Sequence, residues 1–163
     1  MSPEPGSSIR SQIRFDSLEQ EVFLNLWRTY DRLRMLEDEL FAKFDLTPQQ
    51  YNALRLLRAE HPHPLPTLTL ANRLVSRAPD ITRMLDKLEA RKLILRERLP
   101  ENRRVVLVRL TELGIQLLNQ LISPLKECHL RQLGHLTESQ LTQLRDLLRE
   151  ARSPLEDSAG HWK

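Results

Sequence analysis

The sequence contains little of what several large protein classes require. Among its 163 residues there is one cysteine, there are four glycines, and aromatic residues make up 5%. A single cysteine, Cys128, excludes an intrachain disulfide and is typical of proteins kept in a reducing cytoplasm. The low glycine and aromatic content argues against a β-sandwich and against a nucleotide-binding α/β domain. The composition is instead typical of a leucine-rich helical protein of single-domain size.

Signals for membranes and secretion are also missing. The sequence has no run of about 18 apolar residues, the length that a transmembrane helix needs. Residues 1–8 (MSPEPGSS) lack the positively charged start and the apolar centre of a secretory signal. We therefore expect no membrane contact and a cytoplasmic location.

Motifs for catalysis, cofactors and metals are absent as well. There is no glycine-rich phosphate loop, no nucleophile elbow and no arrangement of paired carboxylates. Cys128 and His129 are adjacent, so their side chains diverge on a helix. His135 and the loop residues His61 and His63 complete no convincing ligand spacing. We expect neither enzyme activity nor a cofactor or metal site.

Hydrophobic periodicity and capping signals predict six helices. Thr47 with Gln50, and Thr137 with Gln140, have the spacing of capping boxes. The predicted helices are a long one over residues 16–43, one from Pro48 to before His61, a short one over residues 67–74, a basic one over residues 78–92, a long one after Thr111 and a last one after Thr137.

Between the basic helix and the fifth helix lies a predicted β-hairpin. Residues 93–99 and 104–110 have strand character, and residues 100–103 form the turn. The order helix, short helix, basic helix and hairpin is that of a winged helix-turn-helix. The predicted fold class is mainly α with a small β-hairpin wing, flanked by N- and C-terminal dimerisation helices.

Positive charge is concentrated in this central part of the chain. Residues 73–109 hold eleven Lys or Arg and five Asp or Glu, a net charge of +6, whereas the whole chain carries +3. The rest of the chain therefore sums to −3. A basic element in an otherwise slightly acidic chain indicates a localised contact with a polyanion. Since a helix fits the major groove of B-DNA, double-stranded DNA is the predicted partner.

Seven residues are the candidates for contact with DNA: Arg77, Asp80, Thr82, Arg83, Lys87, Arg103 and Arg104. Arg83 can fork onto the O6 and N7 atoms of guanine, while Thr82 and Lys87 suit phosphate oxygens. For Asp80 two roles stay open, a base contact to cytosine N4 and an interaction with the dipole at the helix N-terminus. The two arginines at the hairpin tip suit an adjacent minor groove.

These segments resemble the MarR family of bacterial transcription regulators. The resemblance is carried by LANRL at residues 70–74, ITRMLDKLE at residues 81–89 and NRRVVLVRLT at residues 102–111. It implies a homodimer whose N- and C-terminal helices interlock, with two winged domains on a pseudo-palindromic operator, most often as a repressor. It matches Ile81, Thr82 and Arg83 to recognition-helix positions and Arg104 to the wing-tip arginine.

The sequence departs from the family pattern at two positions. Asn102 replaces the acidic residue that usually precedes the arginine pair, so a salt bridge that braces the wing is missing. Lys92 stands where a glycine commonly ends the recognition helix, and glycine takes the left-handed cap more easily.

The resemblance also implies a small aromatic or anionic effector bound between the dimer helices and the winged domain. The candidate residues are Trp27, Tyr30 and Tyr51, with Arg34 as a partner for an anion. Packing in the core or the dimer is the alternative for Trp27 and Tyr30. Two other readings of the whole chain stay open. One is a helical dimeric module that binds protein, and the other is a redox-switched regulator that uses Cys128, for which the alternative is a small buried hydrophobe.

The predicted organisation follows from these assignments. It is a disordered N-terminal arm at residues 1–15, a helical dimerisation region at residues 16–45 and 112–152, a winged helix-turn-helix DNA-binding domain at residues 46–111, and a flexible C-terminus at residues 153–163.

Overall fold

A computed structural model describes residues 15–76 and 80–156, and its elements confirm the predicted fold class. The helices are α1 (Leu18–Ala42), α2 (Pro48–Glu60), α3 (Thr67–Arg73), α4 (Ile81–Ala90), α5 (Glu112–Leu133) and α6 (Glu138–Arg152). The strands are β1 (Leu65–Pro66), β2 (Ile94–Arg98) and β3 (Val106–Leu110), and a 3-10 turn covers Ser153–Leu155. Within this described part of the chain, no helix is long and apolar enough to cross a membrane.

Most of the two predicted flexible ends lies outside the described residues. Residues 1–14 hold nearly all of the predicted N-terminal arm, and residues 157–163 hold most of the predicted C-terminal segment. Residues 77–79 also lie outside the description, and they include the candidate Arg77.

The first part of α1 has an uncovered apolar surface. Residues up to Arg34 form one compact unit, and residues from Met35 onward form another. In the first unit, large apolar side chains of α1 are exposed: Leu18, Val22, Phe23, Leu24, Leu26, Trp27 and Tyr30. Phe23 and Trp27 contact each other edge to face, with their ring centroids 6.2 Å apart. No other described element of this unit covers that surface.

The hydrophobic core lies in the second unit. Its fully buried side chains come from the end of α1, from α2 to α5 and from the strands: Phe41, Leu54, Leu57, Leu70, Leu85, Leu88, Ile94, Val108 and Leu121. The rings of Phe41 and Tyr51 stack with their centroids 4.8 Å apart, which joins the end of α1 to α2. This core fixes the helices of the winged domain against the sheet.

The wing sheet has three strands, one more than the predicted hairpin. The strand order is β1-β3-β2, both pairs are antiparallel, and Leu65 lies opposite Val108 while Ile94 lies opposite Leu110. β1 has no sequence signal of its own because it is two residues long and lies in a proline-rich segment. Pro66 has no N–H to donate, and a strand at the edge of a sheet tolerates this.

The helix starts agree with the predicted caps. Thr47 and Thr137 each form a capping box with the glutamine three residues later. Thr111 caps α5, since its hydroxyl accepts the N–H of Gly114 at 3.1 Å. These bonds satisfy backbone donors that have no partner inside the helix, and therefore they fix where each helix begins.

At the C-terminal end of α4 the chain takes a left-handed residue. Lys92 has a φ of 59°. Its N–H donates to the Glu89 carbonyl at 2.8 Å, and the Leu93 N–H donates to the Leu88 carbonyl at 3.0 Å. This pair of bonds is a Schellman motif, and both leucines are buried beside it. The position is therefore one where glycine fits better than lysine, as the departure from the family pattern suggested.

Replacing Lys92 by glycine is expected to stabilise the fold. Glycine enters the left-handed region without the clash of a Cβ atom, so the free energy of unfolding should rise by about 0.5–1 kcal/mol. Urea denaturation followed by circular dichroism measures this change. The control is Ala90→Gly in ordinary helical backbone two residues earlier, which should lower the free energy of unfolding by about 1 kcal/mol. A midpoint for Lys92→Gly at or below that of the native chain would contradict the prediction.

Candidate nucleic-acid interface

The basic helix, α4, begins later than the sequence predicts. Asp80 is its N-cap, since the Oδ1 atom of its carboxylate accepts the Arg83 N–H at 2.9 Å. A carboxylate at this position also interacts favourably with the helix dipole. Asp80 therefore fills the helix-terminus role considered for it, while the contact to cytosine stays a prediction. α4 starts at Ile81 rather than at residue 78.

α4 has one buried face and one exposed cationic face. Leu85 and Leu88 are fully buried in the core. Arg83 and Lys87 are exposed, and because they are four residues apart they share one face of the helix. Thr82 is exposed beside Arg83. The solvent side of α4 thus offers two cations and a hydroxyl.

The wing tip is a hydrogen-bonded turn that exposes two arginines. The Asn102 side-chain oxygen accepts the Arg104 N–H at 3.1 Å, and the Asn102 carbonyl accepts the Val105 N–H at 2.9 Å. The Leu99 carbonyl accepts the Asn102 N–H at 3.2 Å. Arg103 and Arg104 are exposed. Asn102 therefore keeps the local turn bonds that an aspartate would make, although it brings no charge.

The basic residues of this region fall into two groups. Four of the eleven have polar partners in the protein: Arg73 with Glu60, Arg91 with Phe44 and Asp45, Arg96 with Asp86 and Glu89, and Arg109 with Glu97. Six others are exposed and have no salt-bridge partner among residues 15–76 and 80–156: Arg83, Lys87, Lys92, Arg98, Arg103 and Arg104. The cations left for an external anion therefore lie on α4, at its C-terminal end and on the wing.

A cleft of about 620 Å³ opens between α2, α5 and α6. Its lining is mostly apolar, with basic residues among it: Tyr51, Arg55, Arg58, Leu118, Ile122, Leu125, Lys126, His129, Leu130, Leu133, Gly134 and Leu141. Burial raises the pKa of the Tyr51 hydroxyl, so that hydroxyl stays protonated at neutral pH. The cleft can therefore offer apolar surface, a phenolic donor and positive charge to one molecule.

Tyr51 is the one predicted effector residue that lines this cleft. The other three, Trp27, Tyr30 and Arg34, belong to α1 and are not part of the lining. Arg55 and Arg58 were not predicted. Their signal in the sequence is the spacing of residues 51, 55 and 58, which places all three on one face of α2.

Cys128 is buried and belongs to the hydrophobic core, which confirms its reading as a small buried hydrophobe. Burial raises the pKa of the Cys128 thiol, and the negative charge of Glu37 adds to the shift. The thiol is the unreactive form, so Cys128 is a poor nucleophile at neutral pH.

Comparisons with known proteins identify the same architecture. The model of the MarR family matches residues 46–106. The chain is similar to the HTH-type transcriptional regulator MhqR of Bacillus subtilis (strain 168), with 31% identity over 101 residues that span 62% of this chain and 68% of the relative.

Two solved structures extend the match over most of the chain. One is the crystal structure of a MarR transcription factor from Planctomyces limnophilus, with 55% identity, a TM-score of 0.68, and coverage of 83% of this chain and 98% of the other. The other is the MepR–DNA complex of S. aureus, with 26% identity, a TM-score of 0.72, and coverage of 81% of this chain and 97% of the other. The chain therefore belongs to the MarR family of bacterial winged helix-turn-helix transcription regulators.

Proposed function

We propose that this regulator is a homodimeric repressor that binds a pseudo-palindromic operator and releases it when a small anionic aromatic ligand binds. The DNA-binding part of this proposal rests on the division of the basic residues into those bonded within the protein and those exposed to solvent. Four are bonded within the protein, and the six exposed ones that have no salt-bridge partner in the described part of the chain lie on α4, at its end and on the wing. Exposed cations on these two elements match the phosphates of a duplex.

In this proposal α4 lies in the major groove. Arg83 forks onto guanine, while Thr82 and Lys87 contact phosphate oxygens and set the register. Asp80 acts by capping α4, which orients the backbone of Arg83. Arg77, which the sequence also makes a candidate for contact with DNA, lies outside the described residues.

The wing follows the adjacent minor groove in the same complex. Arg103 and Arg104 enter it from the turn that Asn102 closes. A narrow minor groove concentrates negative potential, and arginine is the side chain that such grooves attract. The S. aureus structure, which is 26% identical and was solved as a complex with DNA, supports duplex DNA as the partner of this fold.

The dimer is supported by the apolar surfaces that a single chain leaves uncovered. α6 has no buried residue, although Leu141, Leu144 and Leu148 recur at helical spacing on it, and Leu147 is 63% exposed. The first part of α1 likewise exposes Trp27 and its apolar neighbours. Exposed apolar surface of this extent is typical of an interface. Two winged domains would then meet half-sites about 34–36 Å apart, one turn of the duplex.

The cleft between α2, α5 and α6 is the proposed effector site. Arg55, Arg58 and Lys126 would attract an anion, and the leucines around them would pack against an aromatic ring. Tyr51 would donate its hydroxyl to the ligand. Since the cleft joins the winged domain to α5 and α6, a ligand there can bias the position of one relative to the other.

The two other readings of the chain are less well supported. The hypothesis of a protein-binding module does not explain the basic wing tip, where Arg103 and Arg104 are both exposed, whereas binding to DNA does. A redox switch at Cys128 needs a reactive thiol, whereas this thiol is buried with a raised pKa.

Fluorescence anisotropy of the full chain with a random-sequence duplex of two helical turns tests the proposal. Counterion release should weaken binding at least about tenfold between roughly 50 and 200 mM salt, with heparin as an effective competitor. At saturation we expect two chains per duplex. Binding that is absent or indifferent to salt would overturn the DNA-binding assignment, and one chain per duplex would overturn the dimer.

A further inference from the structure

One arginine of the basic region connects the wing to α4 instead of facing solvent. Arg96 lies in β2, which is an edge strand of the sheet. Its backbone N–H donates to Glu89 Oε1 at 3.0 Å, and its Nε donates to Glu89 Oε2 at 2.9 Å. Its Nη2 donates to Glu89 Oε2 at 2.6 Å and to Asp86 Oδ1 at 2.5 Å. Both carboxylates belong to α4.

The hydrogen bonds of Arg96 and Glu89 are arranged so that they hold β2 and α4 in one relative orientation. Both oxygens of Glu89 are used, one by the backbone of β2 and one by the guanidinium. The two carboxylates are three residues apart on α4, so they can meet one planar guanidinium. The Arg96 side chain is 23% exposed, the least among the ion-paired arginines of the described residues.

Arg96 and Glu89 form an ion pair at neutral pH. The hydrogen bonds from Arg96 lower the pKa of the Glu89 carboxyl, and those bonds raise the pKa of the guanidinium in return. The positive charge of Arg96 is thus balanced by carboxylates inside the protein, and Arg96 has little of it to offer a phosphate.

We propose that Arg96 is a positioning residue that holds the wing at a fixed angle to α4, so that helix and wing enter neighbouring grooves as one rigid unit. The inference rests on the proposed function, since it concerns how the two DNA-contacting elements act together. A wing that is already oriented loses no conformational freedom on binding, so its contacts add fully to those of α4. A loose wing would contribute less, although its arginines are unchanged.

The competing explanation is that Arg96 contacts phosphate, and the two explanations predict opposite signs for Glu89. If Arg96 binds phosphate, removing the Glu89 carboxylate frees the guanidinium and lowers local negative charge, so Glu89→Ala should tighten binding. If Arg96 positions the wing, Arg96→Ala and Glu89→Ala should both weaken binding. Glu97→Ala is the matched control, because Glu97 pairs with Arg109 within the hairpin and not with α4.

The experiment measures random-duplex affinity by anisotropy for each variant, for the double variant Arg96→Ala/Glu89→Ala and for the charge swap Arg96→Glu/Glu89→Arg. Each variant is made in the native chain and in an Arg104→Ala background, with thermal melts to establish folding. We expect about a tenfold loss for either single change, a double variant no weaker than the weaker single one, and partial recovery in the charge swap. Glu97→Ala removes one negative charge without touching the contact to α4, so it should bind as tightly as the native chain or more tightly. In the Arg104→Ala background the Arg96→Ala loss should shrink to less than about threefold, because the wing has less left to contribute.

Three results would overturn the inference while the proposed function stands. Tighter binding by Glu89→Ala would assign Arg96 to phosphate, and equal losses in both backgrounds would assign the pair to general stability. Native affinity in both single variants would leave the pair without a role in binding. If the native chain itself fails to bind duplex DNA, the proposed function fails, and the inference fails with it. If Arg96→Ala does not fold, the charge swap and Glu89→Ala still show whether losing this contact weakens or tightens binding to the duplex.

Discussion

Arg104→Ala is expected to weaken binding to every duplex by about tenfold and to reduce the salt slope by about one. The Arg104 side chain is exposed at the wing tip, and it is the residue that the family resemblance matches to the wing-tip arginine. Its backbone N–H, not its side chain, makes the turn bond to Asn102, so alanine should leave the turn intact. The loss should therefore reflect a missing contact with DNA rather than a disordered wing. Anisotropy titrations at several salt concentrations measure both quantities.

Arg149→Ala serves as the control for the change in net charge. Arg149 is an exposed arginine on α6, outside the basic segment. Removing it lowers the net charge by the same amount, so a general effect of charge would appear in both variants. We expect Arg149→Ala to keep the native salt slope. An Arg104→Ala variant with native affinity and native slope would show that the wing does not contact DNA.

Gly114→Ala is expected to destabilise the fold by about 3 kcal/mol, which for a chain of this size lowers the melting temperature by roughly 6–12 °C. A Cβ atom at Gly114 would lie 2.4 Å from the Leu93 carbonyl oxygen and 2.7 Å from the Leu110 Cδ1 atom. The Leu93 carbonyl also accepts the Thr111 N–H at 3.1 Å, so it is held where it is. The backbone at the base of the wing would have to move apart from α5. Differential scanning calorimetry measures the loss.

The sign of this prediction is opposite to the one that helix propensity alone would give. Alanine inside a helix is normally favoured over glycine by about 1 kcal/mol. Asn119→Ala, at an exposed position of the same helix, isolates that propensity effect and should leave the melting temperature unchanged or slightly raised. A Gly114→Ala variant as stable as the native chain would mean that the close approach of α5 to the wing base is not under constraint.

Local features of this protein were predictable because their causes are local. The caps at Thr47, Thr111 and Thr137 depend on a side chain and a backbone N–H a few residues away, and all three are present. The buried faces of α2 and α4 follow from helical periodicity in the same way. The unsuitability of lysine at residue 92 was also visible, since a left-handed cap depends on one residue.

Features that join distant segments were missed for the opposite reason. β1 exists because residues 65 and 66 pair with Leu107 and Val108, about forty residues later, and a two-residue strand has no pattern of its own. The cleft between α2, α5 and α6 was anticipated only in part, since Tyr51 was named for the effector site whereas Arg55 and Arg58, which line the cleft beside it, were not. Which faces of three helices enclose a cavity depends on how they pack, and the periodicity of each helix does not specify that.

The basic segment, residues 73–109, shows most clearly which features the sequence determines and which depend on tertiary structure. Its net charge of +6, its place in a winged helix-turn-helix and the two arginines at the wing tip were determined by the sequence by itself. Only the tertiary structure decided which of those charges face outward. Arg73, Arg91, Arg96 and Arg109 are engaged within the protein, whereas Arg83 and Arg104 are exposed without a salt-bridge partner in the described residues. The physical reason is that a charge is a property of one residue, whereas its availability depends on acidic groups and carbonyls that folding brings beside it from elsewhere in the chain.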